Sequence, residues 1–121
     1  MIVRTTLVAT ALIAAEIATP ALAQDYPIRP ITLVVPYAAG GGNDVMARIV
    51  VDKMAAALGQ PIVVENRGGA GGSIATRAVA HAAADGYTLG LGGTGTLAIN
   101  PTLYHNVGYD PRKDFAPVGI S

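Results

Sequence analysis

The feature that most constrains the fold is a repeated pattern in which an apolar run ends in a glycine-rich turn. The first run is Ile31–Val35, and the stretch from Pro36 to Asp44 after it contains three consecutive glycines. The same pattern recurs twice, over residues 62–73 and 87–96. Short, nearly continuous apolar runs of this kind predict strands that are buried on both faces of a sheet.

Helical periodicity fills the chain between these strands. Apolar residues recur at three- and four-residue spacing as far as Leu58, which predicts a helix capped by Asn43 and ended by Gly59. A second helix is predicted to begin with Ser73 as its cap, and residues 116–120 to begin a fourth strand. Alternating strands and helices predict an α/β fold with a parallel sheet flanked by helices. The predicted buried face of the first helix consists of Val45, Met46, Ile49, Val50, Met54, Ala57 and Leu58.

The three glycine-rich turns indicate a binding site. In an open parallel sheet, ligands bind beyond the carboxyl ends of the strands, and all three turns fall there. Small residues let a ligand approach backbone N–H groups closely, and a helix start adds the positive end of its dipole. One such turn would indicate only a tight connection. Three at the same end favour a site for a small anion, with Asp44 orienting the start of the first helix.

The composition excludes several classes of protein. The 121 residues include no Cys, which rules out disulfides, thiolate metal sites and a cysteine nucleophile. Eight basic and eight acidic residues give a net charge of zero without a basic patch, so we expect no nucleic-acid partner. One Phe, five Tyr and no Trp provide few large side chains for a core, so we expect a marginal fold.

The first 23 residues have the pattern of a secretory signal peptide. Arg4 supplies a short positive region, residues 7–15 are apolar but too short to span a bilayer, and Ala21–Ala23 forms an A-x-A cleavage site. We therefore expect export by the Sec route, cleavage after Ala23 and a periplasmic location. The alternative is an uncleaved membrane anchor. Residues 24–121 form the remaining predicted domain.

A nucleotide-binding enzyme is the main alternative from another functional class. The P-loop motif is absent, but Gly90, Gly92 and Gly95 match the G-x-G-x-x-G fingerprint after a strand. That fingerprint requires a following helix, and Pro101 is expected to break it. His81 and His105 have no ligand partner at a recognisable spacing, and no pair of carboxylates is arranged for acid/base work. We therefore predict no enzyme activity, no metal site and no cofactor.

Arg67 has two possible roles, which the sequence alone leaves open. Its guanidinium could reach an anionic ligand, because it begins the second glycine-rich turn. It could equally pair with Glu65, two residues earlier, as exposed ion pairs are common and weak.

Taken in order, the motifs of residues 24–121 resemble the periplasmic substrate-binding receptors of tripartite tricarboxylate transporters, also called Bug-type receptors. The clearest segments are Val35-Pro36-Tyr37-Ala38-Ala39-Gly40-Gly41, Val63-Val64-Glu65-Asn66-Arg67 and Ala84-Asp85-Gly86-Tyr87-Thr88-Leu89. Ala98-Ile99-Asn100-Pro101 and Tyr109-Asp110-Pro111 extend the match. The chain departs from the family pattern at Ala39, where a proline is usual, and at Gly68, Ala75 and Leu97.

The resemblance implies a periplasmic binding protein-like fold that closes as a clamshell on a small carboxylated solute. The first two strand–helix loops would hold the ligand carboxylate, mainly through backbone amides, and the loop after the third strand would face the cleft. The ligand-binding residues implied are Tyr37, Ala38, Ala39, Gly40, Gly41, Asp44, Gly69, Ala70, Gly71, Gly72, Thr94 and Thr96.

The resemblance also implies partners and a missing part. The partners would be a di- or tricarboxylate ligand and the membrane subunits of a tripartite transporter, with the receptor itself a monomer. Full receptors continue well beyond Ser121, so we expect residues 24–121 to be a truncated first lobe without its second lobe. A non-functional remnant of such a receptor is the alternative.

Overall fold

The computed structural model describes residues 25–120, so the predicted signal peptide over residues 1–23 lies outside the described part of the chain. Three short strands form one parallel sheet: β1 (Ile31–Val35), β2 (Ile62–Asn66) and β3 (Thr88–Gly90). β1 lies in the centre, with β2 on one side and β3 on the other. The α/β prediction with a parallel sheet is confirmed.

Helices connect the strands on both faces of the sheet. α1 (Gly42–Leu58) joins β1 to β2, and α2 (Ser73–Ala80), preceded by a 3-10 turn over Ala70–Gly72, leads from β2 towards β3. After β3, a π-helical segment (Gly95–Ile99) runs directly into α3 (Asn100–Leu103).

The main core lies between β1 and α1. Ile31, Leu33 and Val35 point to one face of the sheet, because side chains alternate along a strand. There they pack with Ala47 and Val51 of α1. Thr32 and Val34 point to the other face, where Ala78 and Ala82 lie opposite them. The two faces explain why β1 is apolar at almost every position.

The predicted buried face of α1 is wrong except at Met54, which is partly buried against the core. Val45, Met46, Ile49 and Val50 are all exposed, whereas Asp44, Ala47 and Val51 are buried. The small Ala47 side chain, only 2% exposed, lets the helix lie close to the sheet, so this rotation buries the sheet-facing aliphatic groups of β1. The larger apolar side chains are consequently turned towards solvent.

Both predicted caps are also wrong. α1 begins at Gly42 with Gly41 as its cap, which places Asn43 inside the first turn. α2 is capped by Gly72, and the Ser73 hydroxyl instead accepts a hydrogen bond from Asn100. Gly59 does end α1, as predicted, and it adopts the left-handed conformation with φ of 67°.

Two further predictions fail in the last third of the described chain. Residues 116–120 form no strand, and Val118 and Ile120 are exposed, because no neighbouring strand is placed to pair with them. Pro101 does not end the helical segment. It occupies the first turn of α3, where its missing N–H is tolerated.

Candidate functional site

The carboxyl ends of the three strands bring the glycine-rich turns together, as the sequence predicts. We call these turns loop 1 (residues 36–41), loop 2 (residues 67–72) and loop 3 (residues 91–96, which includes the first two residues of the π-helical segment). They meet at Gly72, where an added Cβ would lie 2.7 Å from Thr96 Cγ2 and 3.0 Å from Pro36 Cβ. No side chain larger than hydrogen fits there, so this glycine is required by close packing as well as by its φ of 89°.

Loop 1 is tied to the start of α1 by Asp44. This carboxylate is 3% exposed and accepts a hydrogen bond from the Gly40 amide at 2.8 Å. Arg48, one turn further along α1, donates to both carboxylate oxygens at 3.1 Å. Asp44 therefore orients loop 1 at the helix start, while the Gly40 amide is occupied within the protein.

The hydrogen bonds around Asp44 lower the pKa of its carboxyl to about 2. Arg48 makes the largest contribution, followed by the Gly40 amide and by Asn66. All three donors favour the ionised form, and together they outweigh the opposing effect of burial. The residue is thus a fixed anion of the scaffold.

Asn66 joins loop 1 to loop 2, a role that sequence reasoning missed. It is the last residue of β2, and its Nδ2 donates to the Tyr37 carbonyl at 3.2 Å and to Asp44 Oδ1 at 3.0 Å. Its position could have indicated this role, since an amide side chain directly before a glycine-rich turn can reach neighbouring backbone groups.

Loop 2 has an unusual backbone. Gly69, Ala70, Gly71 and Gly72 all have positive φ, and Ala70 is the only residue other than glycine with positive φ within residues 25–120. This conformation costs roughly 1 kcal/mol for a residue with a Cβ. The surrounding packing and hydrogen bonds must therefore hold the loop in place.

Several amides at this edge remain available to a ligand. Within the described chain, the N–H groups of Ala39, Ala70 and Gly71 have no acceptor in the protein. The first-turn amides of α1 are likewise open, because the first helical hydrogen bond runs from Val45 to Gly41. Exposed backbone donors of this kind suit a small anion.

Side chains around loop 3 divide into exposed and buried groups. Thr94 is exposed, and the half-buried Tyr37 ring reaches across to Gly95, whose added Cβ would lie 3.4 Å from the Tyr37 hydroxyl. Thr96 is completely buried, and its hydroxyl exchanges hydrogen bonds with the backbone of Gly93. The structure gives Thr96 a packing role at the meeting point of the loops.

Arg67 forms the ion pair that the sequence left open. Its Nε lies 2.8 Å from Glu65 Oε1, and both side chains are more than 40% exposed. The pair raises the pKa of Arg67. Asp44 and Arg67 are thus both paired with neighbouring charged side chains. The donors left for a ligand at this edge are therefore mainly backbone amides.

Metal-ligand clusters and membrane-spanning helices are both absent from the part of the chain that the structure describes. Residues 25–120 contain no cluster of three or more His, Cys, Asp or Glu side chains that could hold a metal ion. No helix among those residues has both the length and the apolar character needed to cross a membrane.

Comparison with known proteins identifies the family. Residues 46–120 match the model of the tripartite tricarboxylate transporter family receptor, TctC. The chain belongs to this receptor family. It is similar to protein BugT of Bordetella pertussis, with 47% identity over 107 residues. That match covers 88% of this chain but 33% of BugT, so the chain spans about a third of the relative's length.

Two solved structures support the same assignment. The periplasmic binding protein BugD is 49% identical, with a TM-score of 0.75, over 78% of this chain and 31% of BugD. MatC from Rhodopseudomonas palustris, solved with bound malate, is also 49% identical, with a TM-score of 0.74, over 77% of this chain and 32% of MatC. The resemblance to the receptors of tripartite tricarboxylate transporters is confirmed by the family model and by these relatives.

This assignment also bears on the nucleotide alternative. The argument from Pro101 against a dinucleotide site is wrong, because the chain after Gly90, Gly92 and Gly95 is helical. The motif nevertheless occurs here in a receptor family. Its glycines have a packing explanation at Gly92, where an added Cβ would lie 2.6 Å from Leu97 Cδ1.

Proposed function

We propose that this chain forms the carboxylate-binding wall of an extracytoplasmic solute receptor. The observation that carries the proposal is the convergence of loops 1, 2 and 3 at Gly72, with unpaired amides facing the same edge of the sheet. Amide donors and two helix starts would bind a carboxylate without covalent chemistry. A ligand class of di- or tricarboxylates is supported by the malate found in MatC.

The proposed site residues have two kinds of role. Direct contact is assigned to the Tyr37 ring, the Thr94 hydroxyl and backbone groups of loops 1 and 2. Asp44, Gly40, Gly72 and Thr96 hold those loops, since their polar or packing groups are already engaged within the protein. The backbone groups proposed for contact are those of Ala38, Ala39, Gly41, Gly69, Ala70 and Gly71.

The family supports a proposal for the cellular setting. We place the receptor in the periplasm, exported by the Sec route with cleavage after Ala23, and delivering its ligand to the membrane subunits of a tripartite transporter. Residues 24–121 would be the first part of lobe 1, acting as a monomer. The competing proposal is a non-functional remnant of such a receptor.

Titration calorimetry with malate tests the proposal, and dimethyl malate, which lacks both carboxylates, is the ligand control. Gly71→Ala should weaken malate binding at least tenfold, because a Cβ there would lie 3.3 Å from the Asn100 side chain at a φ of 62°. Gly59→Ala is the matched control. It has a similar φ of 67° with nothing within 4 Å, at the opposite end of α1.

The outcomes separate the two proposals. Malate binding that is lost in Gly71→Ala and retained in Gly59→Ala supports the receptor site. A chain that unfolds cooperatively but binds no malate supports the remnant. Equal malate affinity in both variants would exclude loop 2 from the site.

A further inference from the structure

The helical segment after β3 contains a buried side chain that reaches back to loop 2. Asn100 is 6% exposed, and its Nδ2 donates to the Gly71 carbonyl and to the Ser73 hydroxyl, both at 2.9 Å. The two acceptors lie 29 and 27 residues earlier in the chain. One amide group therefore bridges the last turn of loop 2 and the first residue of α2.

From this geometry we infer that Asn100 is a positioning residue, which fixes the peptide unit between Gly71 and Gly72 and so holds the left-handed turn of loop 2 that leaves the Ala70 and Gly71 amides open. This inference rests on the proposed carboxylate site and deepens it. Asn100 itself is assigned no contact with ligand.

The backbone of loop 2 explains why such a residue is needed. Of the four consecutive residues with positive φ, Ala70 is strained because it has a Cβ, and the three glycines can adopt many other conformations, so the loop keeps this arrangement only where neighbouring groups determine it. The Gly71 carbonyl belongs to the same peptide unit as the Gly72 amide, which donates to the Gly69 carbonyl at 2.9 Å, so rotation of this unit would break the hydrogen bond that closes the turn. Fixing the Gly71 carbonyl to a buried donor opposes that rotation.

The helical segment that carries Asn100 is itself held in place by packing and a hydrogen bond. Thr96, one turn earlier in the same helical segment, fills the space beside Gly72, and the Tyr109 hydroxyl donates to the Thr96 carbonyl. Tyr109 is 9% exposed and stacks edge-on with Phe115. Loop 2 is thus held in place through the helical segment after β3 by Tyr109 and Phe115, which lie outside the site.

The decisive variant is Asn100→Asp in the full chain, which keeps the shape of the side chain but replaces the Nδ2 donor with a second oxygen. Asn100→Ser is the second variant, since its smaller side chain avoids burial of a new charge. Thr102→Ala is the matched control: it removes a side-chain hydrogen bond to the Ala98 carbonyl in the same helical segment, at an exposed position away from loop 2.

Amide hydrogen exchange reads the positioning without any ligand. In the wild type, the side-chain amide protons of Asn100 should exchange slowly, as expected for a buried donor with two acceptors. In both Asn100 variants, exchange at Gly72 should accelerate at least tenfold, while exchange at Gly40 in loop 1 stays unchanged. Rapid exchange of the wild-type Asn100 side-chain protons, or unchanged exchange at Gly72 in the variants, would overturn the inference.

Malate affinity then links the positioning to function. Both Asn100 variants should bind malate at least tenfold more weakly than the wild type, with Thr102→Ala within twofold of it. Wild-type affinity in the Asn100 variants would overturn the inference even if the receptor function stands. A wild-type chain that fails to bind malate counts against the proposed function alone, because the exchange experiment still decides the role of Asn100.

Discussion

Asp44 shows how one residue can organise a loop that has almost no side chains of its own. Its carboxylate gathers donors from loop 1, from α1 and from β2, through Gly40, Arg48 and Asn66. A glycine-rich loop has many accessible conformations, and ordering it costs conformational entropy. Hydrogen bonds to a buried, ionised acceptor offset part of that cost.

The lowered pKa of Asp44 makes the stability of the chain depend on pH. The carboxyl has a pKa of about 2 in the folded state against an ordinary value of 3.8. Its contribution is therefore fully present above about pH 4 and is lost as the pH falls towards 2. Urea unfolding of the wild type and Asp44→Asn should show a stability difference at pH 6 that narrows progressively below pH 4. A difference that stays constant down to pH 2 would contradict the lowered pKa.

Gly72 gives a second prediction at the scale of one residue. Gly72→Ala should destabilise the chain by about 2–4 kcal/mol, because it adds both the left-handed strain of an alanine and overlap with Thr96 and Pro36. Gly59→Ala carries only the strain and should cost about 1 kcal/mol. Chemical denaturation measures both losses of stability. Equal losses for the two variants would show that Pro36 and Thr96 move aside to accommodate the added methyl group.

At the scale of the element, α1 is the clearest case in which local pattern and packing disagree. The adjacent residues Val50 and Val51 are chemically identical, but Val50 is 40% exposed and Val51 is 7% exposed. Val51→Ala should therefore cost about 2 kcal/mol of stability, and Val50→Ala less than about 0.5 kcal/mol. Urea unfolding of the two variants checks this, and a larger loss for Val50→Ala would restore the helix face that periodicity predicts.

The same helix shows why the sequence predicts some features and not others. The strands and turns follow from local signals, namely apolar runs and glycines at their ends. The orientation of α1 does not, because it carries two apolar stripes, and the buried one contains the small Ala47. Periodicity favours the stripe with the larger side chains, such as Met46 and Ile49, as the buried one. In the structure the other stripe is buried, because its small Ala47 lets the helix pack closely on the sheet.

The parts of the site that escaped prediction depend on contacts distant in sequence. Asn66 reaches Tyr37 across 29 residues, and Asn100 reaches Gly71 across another 29. Nothing in the spacing of these residues indicates which partner each one meets. Conversely, the strand expected over residues 116–120 had a valid local signal but lacks a neighbouring strand to pair with.

At the scale of the whole molecule, α1 leaves an apolar stripe of Val45, Met46, Ile49 and Val50 in solvent, each at least 40% exposed. Contiguous exposed apolar surface promotes association, so the stripe should limit the solubility of the isolated chain. The double variant Met46→Lys, Ile49→Lys should raise the solubility limit several-fold with an unchanged urea midpoint, because lysine is a good helix former at exposed positions. Ala47→Lys, at a buried position on the same helix, should instead unfold the chain. If the double variant lost as much stability as Ala47→Lys, the stripe would have to be covered in solution by a second copy of the chain. Sedimentation of the wild type across a concentration series would detect that association.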